Sequence, residues 1–278
     1  MAGEEEVSVR FWGVRGSIAC PGPETARYGG NTSCVELRWG ERMLIFDGGT
    51  GLRLLGDALL AKGKVVDADL FFSHTHLDHV VGLPFFGPAF LKQNRLRLWA
   101  GHLLPDYTLK EVLSEMMMPP LFPVPLGIFQ ARMDFIDFNC GETLNPVPGI
   151  TLKTAPLNHP NNATGYRVEC GGKVVAYLTD TEHKPGELDQ NVLRLAADAD
   201  LMIYDSTYTD EEYESHKSWG HSTWQQAVRL AVAAKAKMLA IFHHDPAHDD
   251  AFMDRVAAEA AAVHAGAIVA REGMVLKL

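Results

Sequence analysis

The 278-residue chain holds only four cysteines, Cys20, Cys34, Cys140 and Cys170, none in C-x-x-C spacing. That leaves no thiol pair to read as a redox or metal motif, and the four are taken as reduced, mostly buried thiols. No run of some 18 apolar residues occurs, so no membrane span is expected. Positive charge is short as well. Lys and Arg number 25 against 35 Asp and Glu, a formal net charge of −10, whereas a partner of long nucleic acid usually carries a basic footprint. The opening Met1-Ala-Gly-Glu-Glu-Glu has neither the basic nor the apolar region of a secretory signal, which points to the cytoplasm. What remains, 47% hydrophobic and 22% charged, is the make-up of an ordinary globular protein.

Against that background one stretch stands out. Asp69-Leu-Phe-Phe reads as a short buried strand, and it ends in His74, His76, Asp78 and His79 within six residues. Imidazole and carboxylate are ligands for first-row metals, zinc in particular. A catalytic zinc takes three protein ligands and keeps one position open. Four donors here, with more expected downstream, therefore suggest two adjacent ions.

The rest of the chain alternates strand-like and helix-like segments. Val7 to Val14, Cys34 to Trp39, Met43 to Phe46 and Arg95 to Ala100 read as strands in the first half. Ile150 to Ala155, Thr164 to Glu169, Lys173 to Leu178, Asp200 to Tyr204 and Met238 to Phe242 do so in the second. Asp47-Gly-Gly-Thr-Gly closes a strand in a glycine turn before a helix, which can cradle phosphate or be only a tight turn. Helices are expected at Tyr107 to Met117, Leu188 to Ala197, from a capping box at Ser222-Thr-Trp-Gln225 to about Lys235, and at Asp250 to His264. Residues 1–278 read as one domain with a Pro/Met-rich insertion at about 102–140. Its core, Met116 to Gly127, has prolines that fix φ and remove donors, so it is a structured loop: a packed connection, or a pocket wall or homodimer contact.

His74-x-His76-x-Asp78-His79 resembles the signature of the metallo-β-lactamase superfamily of hydrolases. The resemblance implies an α/β (α+β) fold, a four-layer αββα sandwich, and further ligands at strand ends. His159, Asp180 and His243 stand in the expected order. By resemblance His74, His76 and His159 hold one metal, Asp78, His79 and His243 the other, and Asp180 bridges them. Two divalent ions are implied, zinc by default with manganese or iron also suited, and such a pair activates a shared water for hydrolysis. Asp47 is expected to orient a ligand histidine. Asp205-Ser-Thr-Tyr and Gly220-His221-Ser-Thr-x-Gln-Gln-Ala resemble ribonuclease Z and its phosphodiesterase relatives, which gives His221 the role of general acid beside Asp78 and Asp180. His244, next to His243, points either to an acid behind the ligands or to solvent. Phe11-Trp-Gly-Val-Arg-Gly-Ser and Gly29-Gly-Asn31-Thr32-Ser33-Cys are similar to a bacterial subgroup, some members acting on cyclic nucleotides, which places Asn31, Thr32 and Ser33 near ligands or substrate. The expected activity is hydrolysis of a small phosphodiester. The alternatives are an RNA-end nuclease of ribonuclease Z type or a carboxylic or thioester hydrolase. No basic or glycine-rich arm for transfer RNA is seen.

Overall fold

The computed structural model describes residues 6–278; residues 1–5, on which the expectation about a secretory signal largely rests, lie outside them. The chain forms two seven-stranded sheets. The first orders β14 (Val275–Lys277), β1 (Val7–Gly13), β2 (Cys34–Trp39), β3 (Arg42–Phe46), β4 (Asp67–Phe72), β5 (Arg95–Ala100) and β6 (Arg132–Asp137). The second orders β7 (Thr143–Leu144), β8 (Ile150–Leu157), β9 (Ala163–Cys170), β10 (Lys173–Leu178), β11 (Leu201–Asp205), β12 (Met238–Phe242) and β13 (Ala267–Val269). Each sheet, followed in that order, has three antiparallel pairings and then three parallel ones. Thus β3 and β10, β4 and β11, β5 and β12 are counterparts. The sheets differ in one connection: the far end of the chain supplies β14 where the second sheet uses β7.

Period-two alternation decides which side chains meet between the sheets. Val9, Phe11, Leu37, Leu44, Phe46 and Phe71 pack there against Leu152, Tyr166, Val168, Tyr177, Ile203 and Phe242. The alternate residues Ile45, Leu70 and Phe72 face outward under helix α1 (Gly51–Ala61). Strands covered on both faces become continuous apolar runs, which is why Asp69-Leu-Phe-Phe reads as it does. The short α2 (Leu77–Val80) carries part of the metal motif, and α3 (Leu109–Met116) buries Leu109 and Leu113 on the same outer side. Helices α4 (Gln190–Ala196), α6 (Trp224–Ala234) and α7 (Asp250–Val263) cover the second sheet; α5 (Asp210–Tyr213) is a single turn. The αββα sandwich is present. Each fully buried Leu or Phe adds roughly 1.5–3 kcal/mol, which helps offset the charged groups held at the strand ends.

Two local expectations change. Residues 102–140 are not all inserted material, because β6 pairs in parallel with β5 from Arg95↔Arg132 to Ala100↔Asp137. Helix α6 opens one residue later than the expected box: Thr223 is the N-cap and accepts from Gln226 N at 3.0 Å. Ser222 is already engaged, its Oγ 2.8 Å from His183 Nδ1. The side chain of Gln226 donates to the Glu187 carbonyl, so no reciprocal arm of a capping box forms. No helix among the described residues is long and apolar enough to cross a membrane.

Candidate metal centre

Strands β4, β8, β10 and β12 end at one edge of the sandwich, and the donors lie just past those ends. His74 to His79 fill the loop after β4 and open α2; His159 and Asp180 each stand two residues beyond β8 and β10; His243 follows β12 directly. Asp47 after β3, Asp180 and His243 adopt left-handed backbone, with φ of 61°, 60° and 63°. Such a conformation costs a non-glycine residue about 1–3 kcal/mol and persists where the surroundings enforce it. Here it turns three strand ends sharply, so that the side chains enter one buried pit.

The donors form two adjoining groups, and a third cluster of Asp180, Asp205, His221 and His243 overlaps the second. His74, His76 and His159 bring one nitrogen each within 4.8 Å of the others, and Asp78, His79, Asp180 and His243 do the same. Asp180 stands between the groups. Its Oδ1 is 3.8 Å from His74 Nε2, 3.9 Å from His159 Nε2 and 3.3 Å from His243 Nε2, and its Oδ2 is 3.3 Å from His79 Nε2. Asp78 Oδ2 lies 3.2 Å from His79 Nε2 and 3.3 Å from His243 Nε2, and the Ser17 backbone N–H donates to it at 2.8 Å. The Nε2 atoms of His74 and His79 are fully buried without a hydrogen-bond partner. A buried nitrogen without a partner is costly unless something accepts its lone pair. Divalent cations fit this donor set.

The opposite ring nitrogens are pinned, and two buried carboxylates do most of it. His79 Nδ1 donates to Asp47 at 2.9 Å, and His74 Nδ1 reaches Ser73 Oγ at 3.1 Å, whose hydroxyl donates to the same Asp47 oxygen at 2.8 Å. Tyr177 adds its phenol to Asp47 at 2.7 Å. Asp205, the last residue of β11, repeats the scheme. His221 Nδ1 donates to it at 2.9 Å, and His243 Nδ1 reaches Thr207 Oγ1 at 3.0 Å, whose hydroxyl donates on to Asp205 at 2.9 Å. Each carboxylate thus orients one imidazole directly and one through a hydroxyl, fixing tautomer and aim. His159 Nδ1 donates to the Gly220 carbonyl at 2.7 Å, and Glu182 holds that loop through Ser218 N and Gly220 N.

Charges follow this wiring. Burial works against ionised Asp78, Asp180 and Asp205, yet the surrounding imidazoles hold all three below the ordinary carboxylate range. Burial and the neighbouring His79 push His74 well down toward the neutral, ligating form. Burial disfavours the imidazolium of His221 too, but Asp205 and then Asp180 outweigh it and raise its pKa to about 9.

The remaining sequence-derived residues fall elsewhere. Asn31 is tied to Glu272 through its backbone and side-chain nitrogens, and Thr32 exchanges hydrogen bonds with Thr50. The Ser33 carbonyl accepts from Gly49 N and the His79 carbonyl from Gly48 N. These residues brace the glycine turn against the metal loop, and the Gly48 and Gly49 amides are used up in that bracing. The turn is structural, and a Cβ on Gly49 would stand 2.2 Å from the Asp78 carbonyl. His244 points neither to an acid nor to solvent: it is fully buried, bonded to the Ala270 carbonyl at 2.9 Å, with burial pushing its pKa down to about 3. Ser73, Thr207, Tyr177 and Glu182 were not foreseen. Only the first two left a signal, as hydroxyls beside or two residues from an acid or ligand.

A two-sheet αββα fold with a buried His/Asp centre at shared strand ends defines the class to which this molecule belongs. Residues 25–244 match the family described as the beta-lactamase superfamily domain, and the chain belongs to it. Among curated proteins, ribonuclease Z of Lactobacillus helveticus is 25% identical over 219 residues, covering 63% of this chain and 68% of that protein. Among solved structures, the metallo-beta-lactamase fold protein YhfI of Bacillus subtilis superposes with a TM-score of 0.73 at 19% identity, over 99% of this chain and 100% of that one. A diphosphatase of the PhnP family gives 0.71 at 19% identity, over 98% and 97%.

Proposed function

We propose that the protein is a hydrolase of small phosphodiesters that works with two divalent metal ions, zinc by default. The observation that carries this reading is the pairing of a seven-donor His/Asp centre with His221, an imidazole that belongs to neither half of that centre and is aimed by Asp205. His74, His76 and His159 would hold one ion, Asp78, His79 and His243 the other, with Asp180 between them. Ions bound there supply a water of lowered pKa and offset charge on the phosphate oxygens. The protein's own part is positioning and proton delivery. Asp47 and Asp205 keep the imidazoles aimed. His221 Nδ1 is committed to Asp205, which leaves Nε2 to give its proton to a departing alkoxide. A cyclic nucleotide is one substrate of this type. The similarity to ribonuclease Z keeps RNA-end cleavage as the second reading, and the net charge of −10 disfavours it.

The test compares leaving groups. A nitrophenolate departs without a proton, whereas a ribose alkoxide needs one, and general acid help is worth about 10²–10⁴ in rate. His221→Ala should keep its metal, hydrolyse bis(nitrophenyl) phosphate near the parent rate, and lose most activity on a diester with an alkoxide leaving group. Equal slowing on both at unchanged metal content would assign His221 to positioning instead.

A further inference from the structure

The loop that ends the Phe11-Trp-Gly-Val-Arg-Gly-Ser stretch lies against the second donor group. Gly16 is packed on His243, where a Cβ would stand 2.4 Å from the ring. The next residue, Ser17, donates its backbone N–H to Asp78 Oδ2 at 2.8 Å. Arg15 fixes the base of the loop. Its side chain is fully buried and donates to the carbonyls of Gly29, Asp245 and His248 at 2.7, 2.9 and 2.7 Å. Gly16 N adds a bond to the His244 carbonyl at 3.0 Å.

Ser17 is held in an unusual way on this rigid base. Ile18 N donates back to the Gly16 carbonyl at 2.6 Å, closing a three-residue turn with Ser17 at its centre and φ of 60°. With positive φ such a turn is rare and strained. Glycine adopts this conformation freely, and the bond to Asp78 uses only the backbone, so a glycine could keep it without strain. What serine adds is a hydroxyl. It is on an exposed residue and has no hydrogen-bond partner among the described residues. A serine Oγ lies at most about 3.7 Å from its own backbone nitrogen, so this one is within about 6.5 Å of Asp78 Oδ2. Strained residues held by their surroundings cluster where a side chain meets a ligand, and here the side chain stands beside two of the metal donors.

We infer that Ser17 is a substrate-contact residue, whose hydroxyl donates a hydrogen bond to a non-bridging oxygen of a phosphate held over Asp78, His79 and His243. The inference rests on the diester reading above. A bond to a non-bridging oxygen helps every diester alike, whereas proton delivery by His221 helps only those with a poor leaving group.

The test compares Ser17→Gly, which relaxes the turn, with Ser17→Ala, which keeps the Cβ. Both remove the hydroxyl, leave the amide, and should keep the parent's metal content. In both, kcat/KM should fall about tenfold or more, the scale of one hydrogen bond to a charged group. The factor should be the same for bis(nitrophenyl) phosphate and for a diester with an alkoxide leaving group. Inorganic phosphate, titrated calorimetrically into the zinc-loaded proteins, should bind about tenfold more weakly to both variants than to the parent, again the scale of that one bond. If the parent cleaves no diester but the variants lose phosphate affinity in this way, the diester reading fails and the Ser17 contact stands. Where the parent does cleave, parental kcat/KM or parental phosphate affinity in the variants overturns the contact. So does a loss confined to the glycine variant, which is the effect of a looser loop, a loss that depends on the leaving group, or one that comes with lower metal content. A parent that neither cleaves diesters nor binds phosphate overturns both the contact and the reading beneath it.

Discussion

Asp47→Asn tests the wiring of the centre with almost no change of shape. Asparagine accepts the left-handed φ of 61° as readily as aspartate, so backbone strain does not confound the result. Asp47 accepts four hydrogen bonds: Oδ1 from Ser73 N at 2.7 Å, and Oδ2 from Ser73 Oγ, His79 Nδ1 and Tyr177 OH at 2.8, 2.9 and 2.7 Å. An asparagine whose oxygen keeps the Ser73 amide presents an NH₂ to the other three donors. The hydroxyls can rotate. His79 can respond only by moving its hydrogen from Nδ1 to Nε2, the atom that faces Asp78 and Asp180. That tautomer cannot ligate a metal. Loss of a charged acceptor shared by buried donors costs about 2–4 kcal/mol in the metal-free protein, roughly a 5–10 °C fall in Tm. The retuned tautomer should weaken zinc affinity about 10–100-fold. Competition against a chromogenic chelator, with thermal melts of stripped and loaded protein, reads both. A folded variant with parental zinc affinity would refute the claim that Asp47 sets the His79 tautomer.

Asp180→Asn, again tolerated at φ 60°, should reduce bound metal from two ions per chain to one or fewer by elemental analysis; a full complement would remove Asp180 from the bridging position. Gly82→Ala should destabilise the protein by about 1–3 kcal/mol in chemical denaturation, because the new Cβ would lie 1.9 Å from the Gly49 carbonyl oxygen. An unchanged midpoint would mean that the glycine turn and metal loop are not locked together.

Much of this arrangement can be read from local pattern. An apolar run buried on both faces and then a histidine or aspartate is visible at Phe72-Ser73-His74, Leu178-Thr179-Asp180 and Phe242-His243, and each marks a strand end at the site. What escapes such reading is pairing between distant segments. The strands Thr143–Leu144, Ala267–Val269 and Val275–Lys277 span two or three residues, too short for any period, and exist because a neighbouring strand offers an edge. The same holds for hydrogen bonds across the sandwich. Nothing around Tyr177 shows that its phenol meets Asp47, 130 positions earlier, and nothing around Asn31 shows that Glu272 will claim it. Ser222 is the better cap by composition, yet its hydroxyl is taken by His183 and Thr223 caps the helix instead.

The exchange of β14 for β7 at the margin of the first sheet also bears on how the molecule is made. The second sheet draws all its strands from one continuous stretch, 143–269. The first must wait for Lys277 to meet Ser8 and Leu276 to meet Val9. Until residues 275–277 arrive, the outer side of β1 stays open, with unpaired N–H and C=O groups of the kind that recruit other chains. The two sheets share a strand pattern, but the half that bears the histidine-rich loop depends on a strand from more than 260 positions downstream of β1, and β14 acts as its clasp.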